Sequence, residues 1–217
     1  MYYSFFTPQA LVALNDVVDN HLDEVQRTPR STVLRGVAAM EPFLDLSRLA
    51  RISSSLIGIP VRPHALRREW THVNVQLEVQ DRPVDSFHYD YVPFVFVTML
   101  RRAPGDGTGA LVLDNRGGSE KKEEKEVKKG KEEEKRNGGN FLPVHLAVGE
   151  SVLVQGSHVR HQANQSLAGC RVSLVVSLMP ASVLHVDMTR VSVCVCVGVG
   201  RWVSVWVYGC VGGWVGG

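Results

Sequence analysis

The hydrophobic period of this chain switches at about residue 70, and that switch limits what it can build. Before it, apolar residues recur at helical spacing: Leu11, Leu14, Val17, Val18 and Leu22 lie on one stripe, with Thr7 and Pro8 suited to a cap and first turn. Phe43, Leu44, Leu46, Leu49, Ile52 and Leu56 form a second stripe, ended by Gly58 and Pro60. Helices are therefore predicted over about 7–24 and 41–56. After the switch, Val73, Val75, Leu77 and Val79 alternate with His72, Asn74, Gln76 and Glu78, the period-two pattern of a strand with one apolar and one polar face. Beyond a turn at Asp81, Arg82 and Pro83, residues 87–100 include the run YVPFVFVTML, apolar on both faces, which predicts a buried central strand. Shorter strands are expected at 110–113, 151–155 and 171–178. Helices followed by several short strands predict an α+β protein with a sandwich or jelly-roll core.

Two segments stand apart. Residues 117–139, GGSEKKEEKEVKKGKEEEKRNGG, hold one aliphatic residue, Val127, among dense mixed charge. Such a stretch buries too little apolar surface to offset its chain entropy and reads as a disordered, charged surface insertion. The tail 183–217 is rich in Val and Gly and nearly uncharged from Val191 onward. It is predicted to be an unstructured appendage, because Gly and Val make a poor autonomous helix and Arg201 interrupts any membrane span. The organisation expected is thus a helical region over 1–69, a catalytic core over 70–182 that carries the insertion, and the tail.

Composition excludes some classes. With 24 Lys and Arg against 22 Asp and Glu, formal net charge is +2, so no nucleic-acid partner is expected, and the tail's weak helix pattern leaves no membrane partner expected either. Three of the four cysteines, Cys194, Cys196 and Cys210, fall in the tail, leaving Cys170 in the body, so a disulfide framework is not expected. The N-terminus lacks the pattern of a secretory signal, which makes the reducing cytoplasm the expected location.

The chemistry is concentrated at the head of the apolar run. His88 and Asp90 stand two apart, so a pleated backbone sends both side chains to one face. An imidazole and a carboxylate, completed by a second imidazole, form the facial triad of non-haem Fe(II) oxygenases. Two downstream histidines, His158 and His161, compete for the third place. Arg171 opens a strand in which Arg171, Ser173, Val175 and Ser177 share a face, where a guanidinium with the Ser173 hydroxyl beside it is suited to gripping a carboxylate. His64, His72, His145 and His185 receive no role, and Tyr91 and Trp70 are expected to pack rather than to touch substrate.

HYD at 88–90, a distal histidine, and RVS at 171–173 together resemble the H-x-D…H…R-x-S signature of the 2-oxoglutarate and Fe(II)-dependent dioxygenases. The resemblance covers about residues 70–180. It implies a double-stranded β-helix (jelly-roll) core buttressed by the N-terminal helices. It also implies Fe(II) on His88, Asp90 and His161, with His161 favoured over His158 because Arg171 follows it by ten residues. The separation of 71 positions from Asp90 to His161 exceeds the family's usual spacing, and subtracting the charged insertion removes the excess. The implied cosubstrate is 2-oxoglutarate, its far carboxylate on Arg171 beside Ser173, with Asn74 and Gln76 as further polar contacts. The implied reaction hydroxylates a C–H bond of a small-molecule or protein substrate, releasing succinate and CO2. Two alternatives stay open: a non-catalytic jelly-roll or cupin-like binding module, and a His2Asp enzyme using another divalent metal such as zinc or manganese.

Overall fold

A computed structural model describes residues 5–25, 31–35, 38–76, 83–114, 141–182, 193–197 and 201–205. The charged insertion, expected to be disordered, lies outside them.

Helix α1 spans Pro8–Val25, and Thr7 caps it as its sequence suggests: the Ala10 N–H donates to Thr7 Oγ1 at 3.1 Å. The second helical stripe divides. Ala38–Phe43 is a 3-10 turn containing Pro42, and α2 starts afresh at Leu46–Ile57. The reason is local, since Pro42 lacks an N–H and Asp45 offers a cap, accepting from the Arg48 N–H at 2.8 Å. Gly58 closes α2 at φ 84°, a left-handed position that glycine adopts without a Cβ penalty.

Strands β1 (Ser31–Arg35), β2 (Val61–Pro63), β3 (Thr71–Gln76), β4 (Phe94–Arg102), β5 (Leu111–Asp114), β6 (Phe141–Val144), β7 (Ser151–Val154), β8 (His161–Ala163), β9 (Arg171–Pro180), β10 (Val193–Val197) and β11 (Arg201–Val205) follow. They form two antiparallel sheets. The larger has the order β1-β3-β9-β4-β7-β10-β11, with β2 also on β9; the smaller is β6-β5-β8. In the tail expected to be unstructured, β10 and β11 pair as a hairpin whose first strand lies against β7.

Two apolar layers hold these parts. Leu14, Val18, Leu49, Val73, Phe96, Leu174 and Val176 join helices to the large sheet. On its opposite face Val95, Val97, Met99, Val152 and Val175 pack with Leu111, Leu113 and Val144 of the small sheet. Alternation along β9 therefore sends Val172, Leu174 and Val176 to the helices and Arg171, Ser173 and Val175 into the inter-sheet space. Asn74 and Gln76 stand opposite Ser173 and Arg171 in the β3–β9 register, so the polar face of β3 also looks between the sheets. The run expected as one strand over 87–100 is in two parts. Pro93 cannot donate to a ladder, strand β4 begins after it, and upstream His88 and Asp90 bond instead to His161 and Gly156. No helix among the described residues is long and apolar enough to cross a membrane.

Candidate metal centre

Residue 88 meets residue 161 as an isolated antiparallel bridge, which extends the small sheet past the edge of β8. Both main-chain bonds of that pair form: the His88 N–H donates to the His161 carbonyl at 2.9 Å and the His161 N–H to the His88 carbonyl at 3.0 Å. The two imidazoles consequently project side by side, with ring centroids 4.5 Å apart. Asp90, one pleat further on, completes the group. His88 Nε2 lies 3.5 Å from Asp90 Oδ1, and His161 Nε2 lies 3.4 Å from Asp90 Oδ2. One ligand atom from each of the three falls within 4.8 Å of the others.

Both rings are oriented by backbone. His88 Nδ1 bonds the Ser86 carbonyl at 2.8 Å, and His161 Nδ1 bonds the Val159 carbonyl at 2.8 Å. A carbonyl only accepts, so each Nδ1 carries a hydrogen and each Nε2 is turned toward the shared space, the arrangement typical of metal-ligating histidines. Gly156 supplies room for the carboxylate. Its carbonyl accepts from the Asp90 N–H at 2.9 Å, and a β-carbon added there would stand 2.8 Å from Asp90 Cβ and closer still to Oδ2.

The electrostatics suit the geometry. The Asp90 hydrogen bond outweighs burial and, with the Ser86 carbonyl and nearby Asp85, pushes His88 up to about 9 from its usual 6.5. Burial opposes charge on Asp90, but the His88 bond together with the charges of His161, His88 and His72 holds its carboxyl below the usual range. This set fits a divalent cation. Three ligand atoms about 2.1 Å from one ion stand roughly 3 Å apart; here each imidazole lies 3.4–3.5 Å from a different oxygen of Asp90, and the three ligand atoms lie within 4.8 Å of one another, so the side chains would draw together around an ion.

His158, the competitor, is exposed, shares a 2.7 Å hydrogen bond with Ser157 Oγ through Nδ1, and does not belong to the cluster.

Arg171 is 2% exposed. Its Nε donates to the Gly109 carbonyl at 3.1 Å and Nη1 to Ser173 Oγ at 3.2 Å, and among the described residues no carboxylate lies in ion-pair range of it. Burial presses its guanidinium down to about 10, partly offset by Asp85 and reinforced by Arg102, so it stays charged at neutral pH. A buried cation without a close counter-ion is costly, and an anionic ligand would offset that cost. Gly109, at φ 71° with room for only a tight β-carbon beside Arg171 Cδ, brings its carbonyl to the guanidinium.

Gln76 is buried, and its amide is engaged: Nε2 donates to the Ser166 carbonyl and Oε1 accepts from the Ser166 N–H, both at 2.9 Å. Ser166 Oγ in turn donates to Asp106, which also accepts from the Thr108 N–H at 2.8 Å. This network clamps the loop that carries Gly109 onto the turn before β9.

Sequence reasoning missed Asp85, Gly156 and Asp106, none of which belongs to a spacing pattern. Tyr91, expected to pack, is fully exposed beside Asp90. Trp70 is half-buried, with Nε1 donating to the His64 carbonyl at 2.6 Å.

No protein-family model matches the chain, and no curated protein does. Solved structures do. A 2OG-Fe(II) oxygenase family oxidoreductase from Burkholderia pseudomallei is 18% identical with a TM-score of 0.53, over 82% of this chain and 81% of its own. AviO1 from Streptomyces viridochromogenes Tue57 is 16% identical with a TM-score of 0.54, over 82% and 87%. SnoK, a non-haem α-ketoglutarate-dependent carbocyclase from nogalamycin biosynthesis, is 13% identical with a TM-score of 0.58, over 89% and 80%. The chain therefore has the mixed helix and antiparallel-sheet fold of 2-oxoglutarate and Fe(II)-dependent oxygenases, and it carries a His-x-Asp…His triad within that fold.

Proposed function

We propose that this protein is a 2-oxoglutarate-dependent Fe(II) oxygenase that hydroxylates a C–H bond, and that its two sheets are the halves of a double-stranded β-helix. One observation carries the reading. Two imidazoles with their Nδ1 atoms tied to backbone and a carboxylate converge in one place, and the same fold buries a guanidinium that lacks a close carboxylate among the described residues.

His88 and His161 would hold the metal through Nε2, and Asp90 through its carboxylate. Iron held there would supply the oxidative chemistry, coupling conversion of 2-oxoglutarate and dioxygen to succinate and CO2 with transfer of the second oxygen atom into the C–H bond. The chain's own share is binding and orientation. Arg171, steadied by the Gly109 carbonyl and Ser173, would take the far carboxylate of the cosubstrate through charge-assisted hydrogen bonds. Asn74, opposite Ser173, faces the same space, while Gln76 would act through the Ser166 turn that it pins. Arg171, Ser173 and His161 are buried, which would keep water from a carboxylate held on that guanidinium. The reducing cytoplasm suits a site that needs ferrous iron.

Anaerobic addition of Fe(II) and 2-oxoglutarate should give the weak visible charge-transfer band of a chelate, with succinate released once oxygen and a substrate are supplied. Arg171→Met should remove the band at moderate cosubstrate concentration and leave Mn(II) affinity near wild type. A protein that binds the metal but gives no band and no succinate would instead be the non-catalytic binding module.

A further inference from the structure

The bridge between residues 88 and 161 is a single rung, and what interrupts the ladder on either side of it has a common effect. In an antiparallel pair the neighbouring hydrogen-bonded rungs would join Ser86 to Ala163 and Asp90 to Val159. The donors go elsewhere. The Ala163 N–H donates to Asp85 Oδ1 at 2.6 Å, and the Ala163 carbonyl accepts from the Val84 N–H at 3.0 Å. On the other side the Asp90 N–H donates to the Gly156 carbonyl at 2.9 Å. Two of the carbonyls left out of the ladder, those of Ser86 and Val159, accept instead from His88 Nδ1 and His161 Nδ1.

We propose that Asp85 is a positioning residue for the metal centre: by taking the Ala163 N–H it keeps the Ser86 carbonyl turned toward His88 and so fixes which nitrogen of His88 faces the metal. A carbonyl held in a ladder points across at the partner strand, not at the ring two residues along its own chain. Without an acceptor at position 85, the Ala163 N–H would be left buried and unpaired, and the nearest carbonyl in register for it is that of Ser86. Recapture of that carbonyl would flatten the strand and leave His88 Nδ1 without its partner. The side chain needed is short and accepting, and Asp85 supplies it from a site whose burial raises its carboxyl above the usual range, against the Ala163 bond and the charges of His88, His161 and Arg171. The consequence for metal binding rests on the oxygenase reading; the hydrogen-bond relation stands without it.

The test uses the full chain as wild type, Asp85→Ala and Asp85→Asn, with Asp85→Ser, one bond too short to reach Ala163, standing in if Asp85→Ala does not fold. Two quantities are read: protection of the His88 Nδ1 proton against exchange by NMR in the metal-free protein, and Mn(II) affinity by calorimetry. Asp85→Ala should lose the protected proton and weaken Mn(II) binding by about tenfold or more, the usual effect of removing a ligand's hydrogen-bond partner. Asp85→Asn keeps an accepting oxygen and should retain both. A protected His88 proton in Asp85→Ala, or its loss in Asp85→Asn, overturns the proposal. Wild-type protein that takes up no Mn(II) overturns the metal reading alone, and the NMR comparison then still decides the role of Asp85.

Discussion

Gly156→Ala should damage metal binding far more than it damages the fold. The added β-carbon would stand 2.8 Å from Asp90 Cβ and 2.9 Å from Cγ, and nearer still to Oδ2. Carbon pairs settle at about 3.5–4.0 Å, so the Asp90 side chain must retreat by roughly 0.7–1 Å. The backbone cannot simply part, because the Gly156 carbonyl accepts the Asp90 N–H at 2.9 Å. Gly156 itself has no left-handed φ, so alanine introduces no backbone strain. Overpacking of this kind costs about 1–3 kcal/mol, which a folded domain tolerates. A carboxylate moved by that much no longer reaches a cation held by both imidazoles, and a loss of at least about tenfold in Mn(II) affinity, roughly 1.4 kcal/mol, is expected. Calorimetric titration with Mn(II) beside thermal unfolding separates the two effects. Affinity within about twofold of wild type would refute the claim that Gly156 makes the room in which Asp90 binds metal.

Metal binding should also depend on pH with a definite sign. The ion must displace the proton of His88, held up to about 9, so Mn(II) affinity should climb by about tenfold per unit from neutral pH and level off above that value. In the metal-free protein that same proton contributes stability in full below the usual histidine value of 6.5, and the contribution fades as pH rises through about 9. Mn(II) titrations over a pH series check the first statement, and an affinity flat between neutral pH and 9 would contradict it. Gln76→Ala orphans the buried N–H and carbonyl of Ser166, each worth about 1–3 kcal/mol. Its denaturation midpoint should fall while Mn(II) affinity holds, because Gln76 touches the Ser166 turn and not the triad.

Much of this was legible because local signals and global fold agree. The Thr7 cap, the Gly58 stop and the alternation of β3 and β9 each carry their own physics, and H-x-D needs only the pleat to put two ligands on one face. Pro42 and Pro93 were visible in the sequence, yet apolar periodicity runs through both and joined elements that they divide. The polar face of β3 was ambiguous for a different reason: Asn74 and Gln76 alternate with valines whether that face meets water or an enclosed polar space. Asp85, Gly156 and the Ser86 and Val159 carbonyls had no signal to find. Their roles arise from a break in pairing between segments 66 to 78 positions apart, and no spacing rule spans that distance.

Anomalous diffraction from crystals loaded with Mn(II) tests the central claim most directly. One peak is expected, about 2.0–2.2 Å from His88 Nε2, His161 Nε2 and an Asp90 carboxylate oxygen together, with His158 uninvolved. A peak elsewhere, or none at saturating metal, would contradict it.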